Sequence, residues 1–166
     1  LVGCGNMGAA LLRCWQSLPG LSKNILVVDP VAEGCLPSLA DVPAGFSPRV
    51  VVFATKPQTL GGMIGDYAAF AKGNTLFVSI AAGKKIDFFE NALGGYAKVV
   101  RCMPNLPAKI GQGVTVACAN RNVQKSDREI VEQLFRVAGD VFWVEDESLL
   151  NPGTALSGSA PAYIFF

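Results

Sequence analysis

The stretch Leu1-Val2-Gly3-Cys4-Gly5-Asn6-Met7-Gly8 decides the fold. It sets a G-x-G-x-x-G pattern between the end of an apolar run and a segment, 6–18, that reads as a helix stopped by Pro19-Gly20. Each glycine has its own reason to be there. Gly3 permits a tight strand-to-helix turn, Gly5 lets the backbone approach a pyrophosphate, and Gly8 lets the helix pack close to the sheet. The free N–H groups and partial positive charge of the helix start favour phosphate. Alone the pattern is weak, because a glycine-rich turn is often only a turn. A strand before it and a helix after it supply the context that dinucleotide binding requires.

Outward from this turn, short apolar runs alternate with helix-compatible stretches. Strands are expected at 1–2, 25–29, 49–54, 75–79, 98–101, 113–119 and 140–144, and helices at 58–72, 84–93 and 125–138. The runs are continuous rather than alternating, which marks strands buried on both faces. Strands and helices in alternation imply an α/β fold, a doubly wound, mostly parallel Rossmann sheet. Pro30, Pro37, Pro43 and Pro48 leave little room for a crossover helix between 30 and 48, so an irregular connection is expected there. A boundary is placed near Asn151-Pro152-Gly153. It separates a dinucleotide-binding domain, 1–150, from the start of an all-helical domain, 151–166, whose helix begins at Gly158. Leu1-Val2 reads as the tail of an apolar run and Ala162 to Phe166 as an apolar stretch without a helix terminus, so a fragment is expected.

Composition narrows the function. The net charge is +1 and no basic cluster exceeds Lys84-Lys85, which argues against nucleic acid or an anionic membrane surface as partner. No apolar run approaches the roughly 18 residues of a membrane span. The five cysteines, Cys4, Cys14, Cys35, Cys102 and Cys118, are odd in number and widely spaced, without the spacing of a metal site. They read as core thiols of a reducing cytoplasm. With no histidine in the chain, a mechanism needing an imidazole base or ligand is excluded for this segment.

Asp29 closes the second run, 21 residues beyond Gly8, where a carboxylate would accept hydrogen bonds from ribose hydroxyls and disfavour a 2′-phosphate. That points to NADH over NADPH; the lesser alternative is that Asp29 only begins the Asp29-Pro30 turn. Thr55-Lys56-Pro57-Gln58 and Ala81-Ala82-Gly83 follow strands, at the sheet edge where open α/β folds bind ligands. Small residues at Ala82 and Gly83 would admit a nicotinamide ring; the alternative is connecting-loop chemistry only. Arg101 to Asn105 ends a strand at the same edge, and Lys125, Asp127, Arg128, Glu129 and Glu132 read as a solvated helix face.

These segments together resemble the pyrroline-5-carboxylate reductase family. The matching stretches are Gly3 to Gly8, Ala54 to Gln58, Ser79 to Gly83, Val100 to Asn105 and, most specific, Thr154-Ala155-Leu156-Ser157-Gly158-Ser159-Ala160-Pro161-Ala162-Tyr163. The resemblance implies hydride transfer from NADPH or NADH to the cyclic imine 1-pyrroline-5-carboxylate, giving L-proline. It implies that Gly5 to Gly8 hold the pyrophosphate, that Thr55, Lys56, Pro57, Ala82 and Gly83 line the nicotinamide side, and that Glu147 lies near the substrate. It also implies a homodimer or larger homo-oligomer through C-terminal helices. The family often prefers NADPH, whereas Asp29 points to NADH. Leu106 stands where the family often has Thr, and Ala160 where it has Gly. The family's loop for the substrate carboxylate lies beyond Phe166, so the chain alone is expected to bind cofactor without reducing substrate. Another imine or hydroxyacid reductase would share the glycine turn but has no reason to carry Thr154 to Tyr163. A non-catalytic nucleotide-sensing domain is the remaining alternative.

Overall fold

The computed structural model describes residues 1–154. Five strands form one sheet in the order β1 (Val50–Phe53), β2 (Leu76–Ser79), β3 (Lys98–Pro104), β4 (Gly113–Ala119) and β5 (Gly139–Trp143). β1, β2 and β3 pair in parallel, β3 and β4 antiparallel, and β4 and β5 in parallel. The reversal before β4 comes from a 3-10 turn, Leu106–Ile110, closed by Gly111 at φ +72°.

Two further segments extend the sheet through single bridges. Val2 bridges both Val28 and Phe53, and Val28 also bridges Leu36. The full order therefore runs Leu36, Val28, Val2, β1, β2, β3, β4, β5, the doubly wound arrangement with its switch point between Val2 and β1. Full strands were expected at 1–2 and 25–29; each is reduced to one bridging residue, so these runs are shorter than their apolar composition suggests.

The continuous runs have the predicted cause. Val51, Phe53, Phe77 and Val99 face one layer, where they pack with Leu60, Tyr67 and Phe89. Val52, Val78, Val100 and Cys102 face the other and meet Leu11, Trp15, Val131 and Phe135. Helices α2 (Pro57–Met63), α3 (Ala68–Ala71) and α4 (Ile86–Leu93) cover the first face, and α1 (Asn6–Gln16) and α5 (Lys125–Arg136) the second. The Trp15 indole N–H donates to the Leu134 carbonyl at 2.7 Å and ties α1 to α5. Phe53 anchors the first face, edge-on to Tyr67 at 5.2 Å between ring centroids and stacked on Phe77 at 6.1 Å.

The single helix expected over 58–72 is instead α2, a 3-10 turn at Ile64–Tyr67, and α3. Gly61, Gly62 and Gly65 lower helix propensity enough for packing to decide the local geometry. Residues 30–48 are irregular as expected, with one 3-10 turn, Leu39–Asp41, where the Asp41 carboxylate accepts from the Ser38 hydroxyl at 2.7 Å. α6 (Leu150–Thr154) starts at Leu150, which is buried against β4, and runs through the expected boundary at Asn151-Pro152-Gly153. The helix expected from Gly158, and nearly all of the Thr154 to Tyr163 segment, lie outside the described residues. Among those described, no helix is long and apolar enough to cross a membrane.

Because Phe53 is fully buried, Phe53→Ala should lose roughly 3–5 kcal/mol of stability in urea denaturation. Phe142→Ala on β5, where the ring is 57% exposed, should change it by less than about 0.5 kcal/mol.

Candidate dinucleotide site at the switch point

Gly3 has φ +90°, which disfavours any residue with a Cβ. A Cβ there would also stand 2.8 Å from the Ala54 carbonyl carbon and the Thr55 nitrogen. A Cβ on Gly8 would collide with the Gly3 carbonyl oxygen and press on Ala54 at 3.2 Å. These two glycines therefore let α1 start directly against the end of β1. Gly5 differs: its φ is −69° and a Cβ would meet nothing within 4 Å. Its exposed face is open space.

Three features fit a phosphate-bearing dinucleotide at this edge. No side chain caps the N-terminus of the 11-residue α1, so its first N–H groups are left for an outside acceptor. Gly5 leaves room for a close approach. The buried hydroxyl oxygen of Thr55 has no hydrogen-bond partner, though Thr55 packs against Gly3. Asn6 and Lys56 are exposed, and Met7 and Pro57 half-buried.

Asp29 is tied into the site by its own backbone contacts. One carboxylate oxygen accepts from the Cys4 N–H at 2.6 Å, and the other from Val31 and Ala32, each at 2.9 Å. Asp29 forms the turn after the second segment and lies against the glycine turn. Partial burial pushes its carboxyl upward, but the N–H donors of Cys4, Val31 and Ala32 outweigh that and hold it below its ordinary 3.8. Of about four acceptor positions on a carboxylate, three are used, which leaves one for a hydroxyl.

Ala82 and Gly83 are exposed in the turn after β2, with Gly83 at φ +72°. The Ala81 N–H is held by the Ser79 hydroxyl at 3.2 Å. Beyond this turn the start of α4 is fixed from a distance. Glu147 accepts from the Ile86 N–H at 2.8 Å and from the Arg101 guanidinium at 2.5 Å. Arg101 is 3% exposed, and its Nε atom has no partner. Glu147, expected near substrate, is therefore already engaged in a largely buried ion pair. The sequence offered no signal for this pairing, whose members lie 46 residues apart. Asn105 was likewise read only as a strand end; its side-chain oxygen accepts from the Val114 N–H at 2.8 Å and fixes the start of the reversal.

The strand order, with a glycine turn and an uncapped helix at the switch point, defines an α/β domain of the Rossmann class. No family model matches the chain. Among curated proteins, the pyrroline-5-carboxylate reductases of Pseudomonas aeruginosa and Aquifex aeolicus are each 35% identical over 99% of this chain and 63% of their own length. That of Escherichia coli is 30% identical over 99% of this chain and 64% of its own. A solved pyrroline-5-carboxylate reductase from Coxiella burnetii superposes with a TM-score of 0.83 at 28% identity, covering 99% of this chain and 64% of that one. The Plasmodium falciparum pyrroline carboxylate reductase with NADP bound gives 0.82 at 25%, covering 99% and 63%. Prephenate dehydrogenase from Aquifex aeolicus, at 13% identity and 0.67, shares the fold alone. In sequence and in fold the chain matches pyrroline-5-carboxylate reductases over 99% of its own length, and it spans somewhat less than two thirds of theirs.

Because Asp29 is held below 3.8, its contribution to stability is present above that pH and lost as pH falls through the lower folded value. Urea denaturation in steps from pH 6 to pH 2 should show Asp29→Asn with a shallower acid loss than the parent chain.

Proposed function

We propose that this chain is the nicotinamide-dinucleotide-binding part of an enzyme that reduces 1-pyrroline-5-carboxylate to L-proline. The observation that carries the reading is the partnerless buried Thr55 hydroxyl beside an open glycine turn, in a chain alike throughout to reductases of that name. Gly3, Gly5, Asn6, Met7 and Gly8 bind the pyrophosphate, with Asn6 and Met7 offering N–H groups from the start of α1. Thr55, Lys56, Pro57, Ala82 and Gly83 line the nicotinamide side, where Thr55 supplies the hydroxyl.

When bound, the dihydronicotinamide supplies a hydride to the imine carbon. This chain's residues bind and orient. A protonated cyclic imine is already electrophilic, so positioning is the main demand, an effect worth roughly 7–11 kcal/mol in favourable cases. Glu147 belongs to the substrate side as the carboxylate that fixes the start of α4, and with it the turn carrying Ala82 and Gly83. The protein forms a homodimer or larger homo-oligomer through C-terminal helices.

Asp29 makes NADH the preferred cofactor. Its charge persists at working pH because its carboxyl is held below the ordinary range, and it faces a 2′-phosphate with like charge. The NADP in the Plasmodium falciparum structure makes NADPH the alternative to measure.

Titration with NADH and NADPH, followed by nicotinamide fluorescence, tests the assignment. Gly5→Ala should keep the parent's melting temperature, since the added Cβ meets no protein atom within 4 Å, yet weaken dinucleotide binding at least about tenfold. Gly8→Val should lose roughly 2–4 kcal/mol of stability through its collision with Gly3. With 1-pyrroline-5-carboxylate added, turnover is expected once the chain is joined to the C-terminal region its relatives possess, and not from residues 1–166 alone. An extended protein that binds cofactor and ignores the imine contradicts the substrate assignment and leaves the Rossmann reading standing.

A further inference from the structure

Two hydrogen bonds frame the exposed turn that carries Ala82 and Gly83. At one end the Ala81 N–H donates to the Ser79 hydroxyl, and at the other the Ile86 N–H donates to Glu147 at 2.8 Å. α4 brings no cap of its own, because the side chain of Lys85, the residue before it, makes no capping bond. The carboxylate that caps it comes instead from 61 residues further along the chain. Glu147 opens a 3-10 turn, Glu147–Leu149, which Asp146 caps by accepting from the Ser148 N–H at 2.8 Å. Leu150 follows, fully buried in a cluster against which Ile86, Met103 and Val144 pack. One oxygen of Glu147, Oε1, accepts both from the Ile86 N–H and from the Arg101 guanidinium. Arg101 thus sets where that oxygen sits. It lies in the middle of β3, paired with Ser79 on β2 and with Cys118 on β4. Its side chain is 4% exposed, that of Glu147 22%, and its Nε atom has no partner. A buried ion pair is weak evidence for stability, since an apolar pair of similar size often does as well or better. A guanidinium with one N–H left unsatisfied is a costlier choice still. Stability alone does not account for an arginine here.

We propose that Arg101 is a positioning residue for the nicotinamide end of the dinucleotide. It holds the Glu147 carboxylate against the start of α4, and through that bond it fixes the turn at Ala82 and Gly83. The hold on α4 stands on the contacts above; its effect on the dinucleotide rests on the function proposed for the site. Arg101 itself touches no cofactor and acts only through Glu147. Asp29, on the adenosine side, is held by a separate set of bonds, from Cys4, Val31 and Ala32. Loss of Arg101 therefore acts on one half of the ligand. A turn released at its α4 end has to be ordered again when the nicotinamide arrives, and that ordering is subtracted from the affinity.

Three variants of the 166-residue chain separate positioning from stability. Arg101→Met removes the holder, and Glu147, already partly exposed, can turn to water without stranding a charge. Glu147→Gln keeps an oxygen for the Ile86 N–H but leaves the buried guanidinium uncompensated. Arg101→Met combined with Glu147→Gln removes both charges and stands in should a single variant fail to fold. Calorimetric titration with NADH, and with ADP-ribose, which lacks the nicotinamide, is paired with melting temperatures and with hydrogen exchange at the Ile86 amide. Arg101→Met should bind NADH roughly tenfold more weakly and ADP-ribose within about twofold of the parent, with faster exchange at Ile86. The double variant should behave in the same way. Glu147→Gln should melt lower and yet bind NADH within about twofold of the parent. Equal weakening of both ligands, unchanged NADH affinity in Arg101→Met, or affinities that simply follow melting temperature across the variants overturn the proposal. If the parent chain binds neither ligand, the functional reading fails and takes the dinucleotide role with it. Exchange at Ile86 then still decides whether Arg101 holds the start of α4.

Discussion

The geometry of the ligand edge depends on the contact of Gly3 and Gly8 with the backbone at Ala54 and Thr55. With a Cβ at either glycine, α1 could not begin where it does, because the first would meet the end of β1 and the second the carbonyl of the turn itself. Close packing there sets the direction of α1 and points its free N–H groups outward past Gly5. It also buries the Thr55 hydroxyl without a partner inside the protein. A buried hydroxyl left unsatisfied costs free energy, and such a cost is tolerated where a ligand can later relieve it.

Around that contact, long-range hydrogen bonds hold the loops that a cofactor would touch. Asp29 joins the glycine turn to the second segment, and Glu147 joins α4 to Arg101 on β3. In each case one carboxylate accepts from N–H groups far apart in sequence. Neither is a surface ion pair of small consequence. Arg101 is almost wholly buried, and removing Glu147 would strand its charge, a loss that exceeds the value of the pair itself.

Much of this was legible in the residues. The runs at 49–54, 75–79 and 98–101 read as strands because they are covered on both faces, and burial on both faces leaves few polar positions to confuse the period. The helices 6–16 and 125–136 were equally clear, since one face of each packs on the sheet while the other is charged or small. What escaped the sequence was set by partners elsewhere in the chain. Val2 and Val28 pair through single bridges although their neighbours are as apolar as those of β1. The glycines at 61, 62 and 65 were visible, but the resulting 3-10 turn depends on how Ile64 and Tyr67 pack. The antiparallel course of β4 follows from the turn at Leu106–Ile110, whose composition does not dictate a reversal. The engagement of Glu147 joins residues 46 positions apart, a pairing that no local pattern could reveal.

The central claim is that a dinucleotide lies across the switch point between Val2 and β1. Amide-resolved NMR of the isotopically labelled chain during titration with NADH tests it directly. The account predicts that the amides of Gly5 to Gly8, Thr55, Ala82 and Gly83 shift together along one binding curve, while those of Gly73 to Thr75, which precede β2 at the opposite edge of the sheet, stay fixed. Saturable shifts that leave the glycine turn untouched would contradict it.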